Sequence, residues 1–239
     1  MNTEIGQMIE QLMSASNENR QSAERLMKDS RENKSEQLCQ SLVEYIVATG
    51  NDSDATKQNQ ASLAALLLKK QYFDDRLEEE NFWQLTNQHA TDIKNSISQS
   101  INFGTQTKLL LQRKADIICK CFRKLETYEE MIQNLVALLK MTDGTPQENV
   151  ARKQFAMYNF EILSEYHLSQ EVIVEHSGQF LELFQATLKE ENSQVKVAAL
   201  KAITSFLTSI DDDDIVLKYK GMMEGLLDVV IAVMQQDET

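Results

Sequence analysis

One proline and seven glycines among 239 residues leave little of the turn chemistry that a sheet needs at every hairpin. That scarcity excludes most β architectures and makes the chain all-α by expectation. Cys39, Cys119 and Cys121 are too few for a disulfide framework, and no charged stretch followed by an apolar run stands near Met1 to read as a secretory leader. Both absences point to a reducing, intracellular setting. Long hydrophobic runs are missing too: the most apolar stretch, "GLLDVVIAVM", contains Asp228 and falls well short of the roughly 20 residues a bilayer span requires. Positive charge is scarce, with 24 Lys+Arg against 37 Asp+Glu and a formal net charge of −13. Such a balance disfavours binding to a phosphate backbone, and it suits a basic protein partner or simply a solvated surface. Neither nucleic acid nor membrane is an expected partner.

What the sequence does contain is helical periodicity, in pairs of segments split by short polar turns. The first pair is expected at about Glu4–Met13 and Glu18–Glu32, with Ser14, Ser16 and Asn17 as N-cap candidates. The second runs from about Ser35 to Ala48 and from Asp54 to Lys70; Gly50 can close the first helix in a left-handed conformation, and Asp52 or Asp54 can cap the next. A third pair is expected at about Leu77–Ile101 and Thr105–Leu125, a fourth at Tyr128–Met141 and Pro146–Tyr166, and a fifth at Ser169–Lys189 and Asn192–Ser209. Pro146 suits the first turn of its helix, where the missing N–H has no partner to lose. One further helix, about Ile215–Gln235, follows "IDDDDI" and stands without a partner.

Within this series, "NSQVKVAALKAITSFL" spends Val195, Val197, Ala198, Leu200, Ala202, Ile203, Phe206 and Leu207 on an unusually wide apolar face. A stripe that wide needs neighbours on more than one side, and the small Ala198, Ala199 and Ala202 allow another backbone to come close. The second helices of the pairs share a pattern: a polar turn, often a basic residue, a small residue three or four positions on, then an aliphatic run. Arg20 with Ala23, Arg152 with Ala156 and Lys196 with Ala199 follow it, and "QRKADII" at Gln112–Ile118 is a looser version. In the second pair Ala61 takes the basic position and Ala64 the small one. A period of about 40 to 50 residues lies in the range of helical-pair solenoids, in which each pair buries its apolar faces by stacking on the next. The chain reads as one array, with approximate repeats 1–34, 35–72, 73–126, 127–167 and 168–210 and an unpaired helix in 211–239.

"QASLAALLLKKQYFDD", "LLQRKADIICKCF" and "NSQVKVAALKAITSFL", in this order from Met1, resemble the N-terminal HEAT repeats of importin-β (karyopherin-β) nuclear transport receptors, nearest the importin-five branch. The run "AALLLKK" at Ala64–Lys70 is the most telling piece, and Ala61 departs from the arginine usual in that run. The resemblance implies a right-handed α-solenoid of about five and a half HEAT-type pairs, an N-terminal fragment or short paralogue of a longer receptor. It implies a non-enzyme without cofactor that shuttles between cytoplasm and nucleus and carries basic cargo through repeats beyond this chain. It further implies that second (B) helices grip Ran-GTP, with Arg20, Glu24, Lys28, Gln58, Ser62, Lys69, Arg113 and Asp116 as the polar candidates. First (A) helices would accept phenylalanines of FG nucleoporins, with Phe180, Leu183, Phe184, Met222 and Met223 as candidates; core packing competes for the same residues, and a solvent-exposed methionine discriminates. The residue pattern alone leaves open a HEAT or armadillo scaffold with non-transport partners.

Other chemistry finds no support in the pattern. Cys119 and Cys121 stand about 200° apart on a helix, unsuited to one metal, and are expected as buried thiols. His89, His167 and His176 have no second ligand at helical spacing, so no metal site is expected. "IDDDDI" lacks the alternating oxygens and glycine of a calcium loop and is expected to cap a helix N-terminus. No phosphate loop or nucleophile elbow is present. In the last helix Val229, Val230, Ile231, Val233 and Met234 are expected to stay partly uncovered and to promote weak self-association.

Overall fold

In the computed structural model, residues 2–73, 84–166 and 168–237 are described, and among them every regular element is a helix. Two compact units emerge, Met1–Glu126 and Thr127–Thr239.

The first unit holds three pairs: α1 (Asn2–Leu12) with α2 (Asn17–Asn33), α3 (Ser35–Gly50) with α4 (Ala55–Tyr72), and α5 (Asn87–Gln99) with α6 (Lys108–Leu125). Adjacent pairs stack through α1 on α3, α3 on α5 and α4 on α6. Each start has a local cause. Ser16 accepts from the Asn19 amide and Asp54 from the Thr56 amide, so two of the expected caps operate. Thr86 forms a reciprocal capping box with His89, which starts α5 at Asn87 rather than in the helix expected from Leu77; residues 74–83 of that expectation lie outside the described ones. Thr107 likewise starts α6, three residues later than expected.

Gly50 does not adopt the left-handed conformation expected of it; it ends α3 inside the helix, and Asn51 follows at φ −91°. Its small size matters instead. A Cβ there would lie 3.2 Å from Leu110 Cδ2 and 3.7 Å from Ala61 Cβ, so α3, α4 and α6 converge at this point. The same convergence explains Ala61: the position is fully buried, and an arginine would have nowhere to place its side chain. With Ala64, Ala65 and Leu68 it gives α4 a narrow apolar face against its neighbours.

The second unit pairs α7 (Tyr128–Lys140) with α8 (Pro146–Tyr166) and α9 (Gln170–Leu188) with α10 (Ser193–Thr208), then adds α11 (Asp213–Lys218) and α12 (Met223–Asp237). Helix α10 packs on α8, α9 and α12. Its wide apolar face is thereby accounted for: Val195, Ala199, Ala202, Ile203 and Phe206 are buried, while Val197, Ala198, Leu200 and Leu207 are half-buried at the edges. Asp212 caps α11 by accepting from the Asp214 and Ile215 amides, the role expected for the acidic run.

The single helix expected over Ile215–Gln235 is broken, because α11 ends at Lys218 and a 3-10 turn at Lys220–Met222 leads into α12. The break turns Tyr219 inward. Its hydroxyl donates to the Ser177 carbonyl at 2.6 Å, and its ring packs 5.3 Å from that of Phe206. The break thus buries one aromatic ring with a satisfied hydroxyl.

Candidate partner-binding surfaces

The residues proposed for the B-helix surface divide into three kinds. Gln58 and Ser62 are corrections, since both are buried, at 2% and 4% exposure, and face no solvent. Gln58 Nε2 donates to the Asp52 carbonyl at 2.9 Å and to the Thr105 carbonyl at 2.8 Å, and its Oε1 accepts from the Thr107 amide at 2.6 Å. Ser62 donates to the Gln58 carbonyl one turn back. One buried amide thus ties the α3–α4 turn to the turn before α6 through part-buried bonds to three backbone groups. Arg20 is also occupied within the chain: its guanidinium donates to the Ser14 carbonyl at 2.7 Å and the Ala15 carbonyl at 3.2 Å, closing the turn between α1 and α2. Glu24 and Lys28 lie on the solvent face of α2, which buries only Ala23 and Met27, and Lys28 meets Glu32 at 3.8 Å.

Lys69, Arg113 and Asp116 are brought together. Lys69 Nζ on α4 lies 2.9 Å from Asp116 Oδ2 on α6, and Arg113 Nη1, one turn before Asp116, lies 3.6 Å from the same oxygen. Asp116 is almost buried, its side chain 5% exposed, while the two cations remain about one-third exposed. The carboxylate anchors two positive groups from neighbouring helical pairs, and the trio keeps a net charge of one positive unit toward solvent. An anchored pair of cations loses less side-chain entropy on meeting an anionic partner than free ones do.

A second polar knot lies beneath this seam. Lys114 is fully buried, and its ammonium donates to the Ser100 carbonyl at 2.7 Å and hydroxyl at 2.9 Å, at the C-terminal end of α5. Gln106 adds bonds to the same carbonyl and to the Asn51 side chain. Burial pulls the Lys114 ammonium down to about 7. Periodicity gave no sign of this residue, because a lysine on a helix reads as solvent-facing. Cys39, Cys119 and Cys121 are buried free thiols, with burial pushing Cys39 up to about 12 and the other two upward as well.

On the second unit, Phe180, Leu183 and Phe184 do not line a surface slot. Phe180 and Phe184 are fully buried and Leu183 nearly so. Their rings join Phe160 and Phe206 in an edge-to-face cluster with centroids 5.4 to 5.8 Å apart. Met222 is buried in the 3-10 turn, whereas Met223 is 50% exposed. Met223, Leu227, Val230, Ile231 and Met234 fall on one face of α12 as an exposed apolar stripe, while Val229 points into the core. The side chain of Val233, also expected on that face, lies outside the described residues. A groove of about 390 Å³ runs between the N-terminal turns of α8 and α10, lined by Pro146, Val150, Ala151, Gln154 and Gln194.

Among the described residues no group of His, Cys, Asp and Glu could hold a metal ion, and no helix is long and apolar enough to cross a membrane. His167 lies outside the described residues; His89 serves the α5 cap, and His176 pairs with Glu129 at 3.0 Å.

Helical pairs with a buried polar seam and an anchored ionic trio define a helical-repeat protein. Three solved structures of the karyopherin Kap121p share the fold: bound to Pho4p (TM-score 0.70, 20% identity), bound to the SUMO protease Ulp1p (0.67, 18%) and alone (0.69, 19%). Each covers 99% of this chain, and the chain spans 21% of each of theirs. Residues 138–239 match the family described as IPO5-like, TPR repeats. No curated protein sequence matches the chain. The chain therefore shares the α-solenoid fold of the karyopherin Kap121p, and residues 138–239 are similar to the IPO5-like family.

Proposed function

We propose that this chain is part of an importin-β-type nuclear transport receptor, whose first unit holds Ran in its GTP form and whose second unit meets FG nucleoporins at exposed apolar positions such as Met223. The observation that supports it most is the Lys69–Asp116–Arg113 trio, which bridges two B helices and keeps two anchored cations accessible. Glu24 and Lys28 supply further exposed polar groups on α2. A receptor that contacts switch segments ordered only by the γ-phosphate binds the two nucleotide states differently, and that difference is what lets a nucleotide drive loading and release. No catalytic step, cofactor or direct nucleic-acid contact enters this reading. Shuttling between nucleus and cytoplasm, cargo carried by repeats beyond these, and a single array of the repeat boundaries given above all belong to it.

The experiment is binding of the 239-residue protein to Ran loaded with GTP or with GDP. Preference for the GTP form, even at modest affinity, supports the receptor. Equal binding to both forms, or none, favours a helical-repeat scaffold with non-transport partners.

A further inference from the structure

The groove between α3 and α5 belongs to none of the surfaces read from the sequence. It encloses about 190 Å³. Cys39 and Val43 from α3 and Ile93 from α5 form a buried apolar floor, and Gln40, Glu44, Asp92 and Ser96 form a polar rim. Helical spacing generates this layering: 39 and 43 repeat one turn apart on α3, as do 40 and 44, while 89 and 93, and 92 and 96, do the same on α5. Each floor residue therefore stands beside a rim residue along the whole groove.

The charge of the rim is one-sided. Glu44 and Asp92 are exposed carboxylates, and the lining contains no lysine or arginine. His89 closes one end, where its Nε2 meets Glu36 at 3.3 Å, so that ring is already engaged with a third carboxylate. Asp92 accepts from Gln88 through Oδ1, which leaves its second oxygen for another donor. The volume is below the roughly 300 Å³ at which small-molecule sites begin, so the groove suits one long side chain rather than a cofactor.

Only one kind of side chain satisfies floor and rim together. An aromatic or aliphatic group would cover the floor but strip water from the carboxylates without replacing it. A short polar group would serve the rim and leave the floor wet. A flexible alkyl stem with a cation at its tip lays methylenes on Cys39, Val43 and Ile93 and brings its charge to Glu44 and Asp92. We propose that the α3–α5 groove docks a lysine or arginine side chain of a basic partner protein. This site lies on the described chain itself and stands independently of the transport reading.

The test is an NMR titration of the 239-residue protein, observing the Val43 and Ile93 methyl groups. The probes are acetyl-Gly-Arg-Gly-amide, its citrulline counterpart of equal shape and no charge, and acetyl-Gly-Phe-Gly-amide. The arginine peptide is expected to shift both methyls saturably, with affinity about five- to tenfold above either neutral peptide, the size expected of two partly exposed carboxylate contacts. Glu44→Gln with Asp92→Asn should remove that advantage; both side chains are exposed, and an unchanged melting temperature confirms the fold. Equal binding of the citrulline or phenylalanine peptide, an arginine affinity unchanged in the double variant, or no saturable shift at Val43 and Ile93 overturns the proposal.

Discussion

The two units hold adjacent helical pairs together by different means. In Met1–Glu126 the seam between the second and third pairs is polar, with Gln58 bridging two turns, Gln106 and Lys114 converging on Ser100, and Asp116 gathering Lys69 and Arg113. In Thr127–Thr239 the corresponding seam is aromatic, built from Phe160, Phe180, Phe184, Phe206 and Tyr219. Rings bury large apolar areas, so they supply stability chiefly through burial and edge-to-face packing. Amide and ammonium donors are directional and costly to leave unpaired, so they fix the register of one pair on the next. The surface above the polar seam is accordingly where charged side chains are held in place, whereas the surface above the aromatic seam offers exposed apolar groups.

Breaking the aromatic seam should have the largest effect. Phe206→Ala removes a fully buried ring that touches Phe180, Phe184 and Tyr219, and should destabilise the second unit by about 3–5 kcal/mol in urea unfolding. A loss below about 1 kcal/mol would mean that the cluster is not what holds α8, α9 and α10 together. Breaking the polar seam should cost less but act more locally. Gln58→Leu fills the space yet leaves the Thr105 carbonyl and Thr107 amide without their partner, a loss of about 1–3 kcal/mol that should appear as faster hydrogen exchange in the turn before α6.

The pH response sharpens the contrast. Lys114 has a folded-state pKa pulled from 10.5 down to about 7, so between these values the unfolded chain binds more protons than the folded one. Its penalty on the fold is therefore full below about pH 7 and is relieved as the pH rises toward 10.5. In thermal melts from pH 7 to 9, the native protein should gain stability relative to Lys114→Met. Parallel curves for the two proteins would show that Lys114 keeps its ordinary affinity for protons.

Periodicity was enough to place most helices, because the apolar stripes of α3, α6 and α7 follow the 3.6-residue repeat and the caps Ser16, Asp54 and Asp212 precede α2, α4 and α11. What it missed depends on contacts distant in sequence. Apolar periodicity continues through Tyr219, and only the Ser177 carbonyl on α9 explains the break before α12. Gln58, Ser62 and Lys114 are polar types that a pattern reading assigns to solvent, yet each meets its bonding needs inside. Phe180 and Phe184 have the right period for either a surface slot or a core, and the neighbouring rings decide for the core. Asp116 beside Lys69, 47 residues away, was legible only as two members of one polar face.

Burial of Asp116 also dictates how the central claim has to be tested. Reversing both cations would crowd three carboxylates together and confound binding with folding. The neutral triple variant Lys69→Gln, Arg113→Gln, Asp116→Asn removes the charges and leaves no orphan behind. Titrated with Ran-GTP beside the native protein, at matched melting temperatures, it should bind at least tenfold more weakly and lose most of the salt dependence. Equal affinity at every salt concentration would contradict the account, because the anchored cations would then play no part in holding the partner.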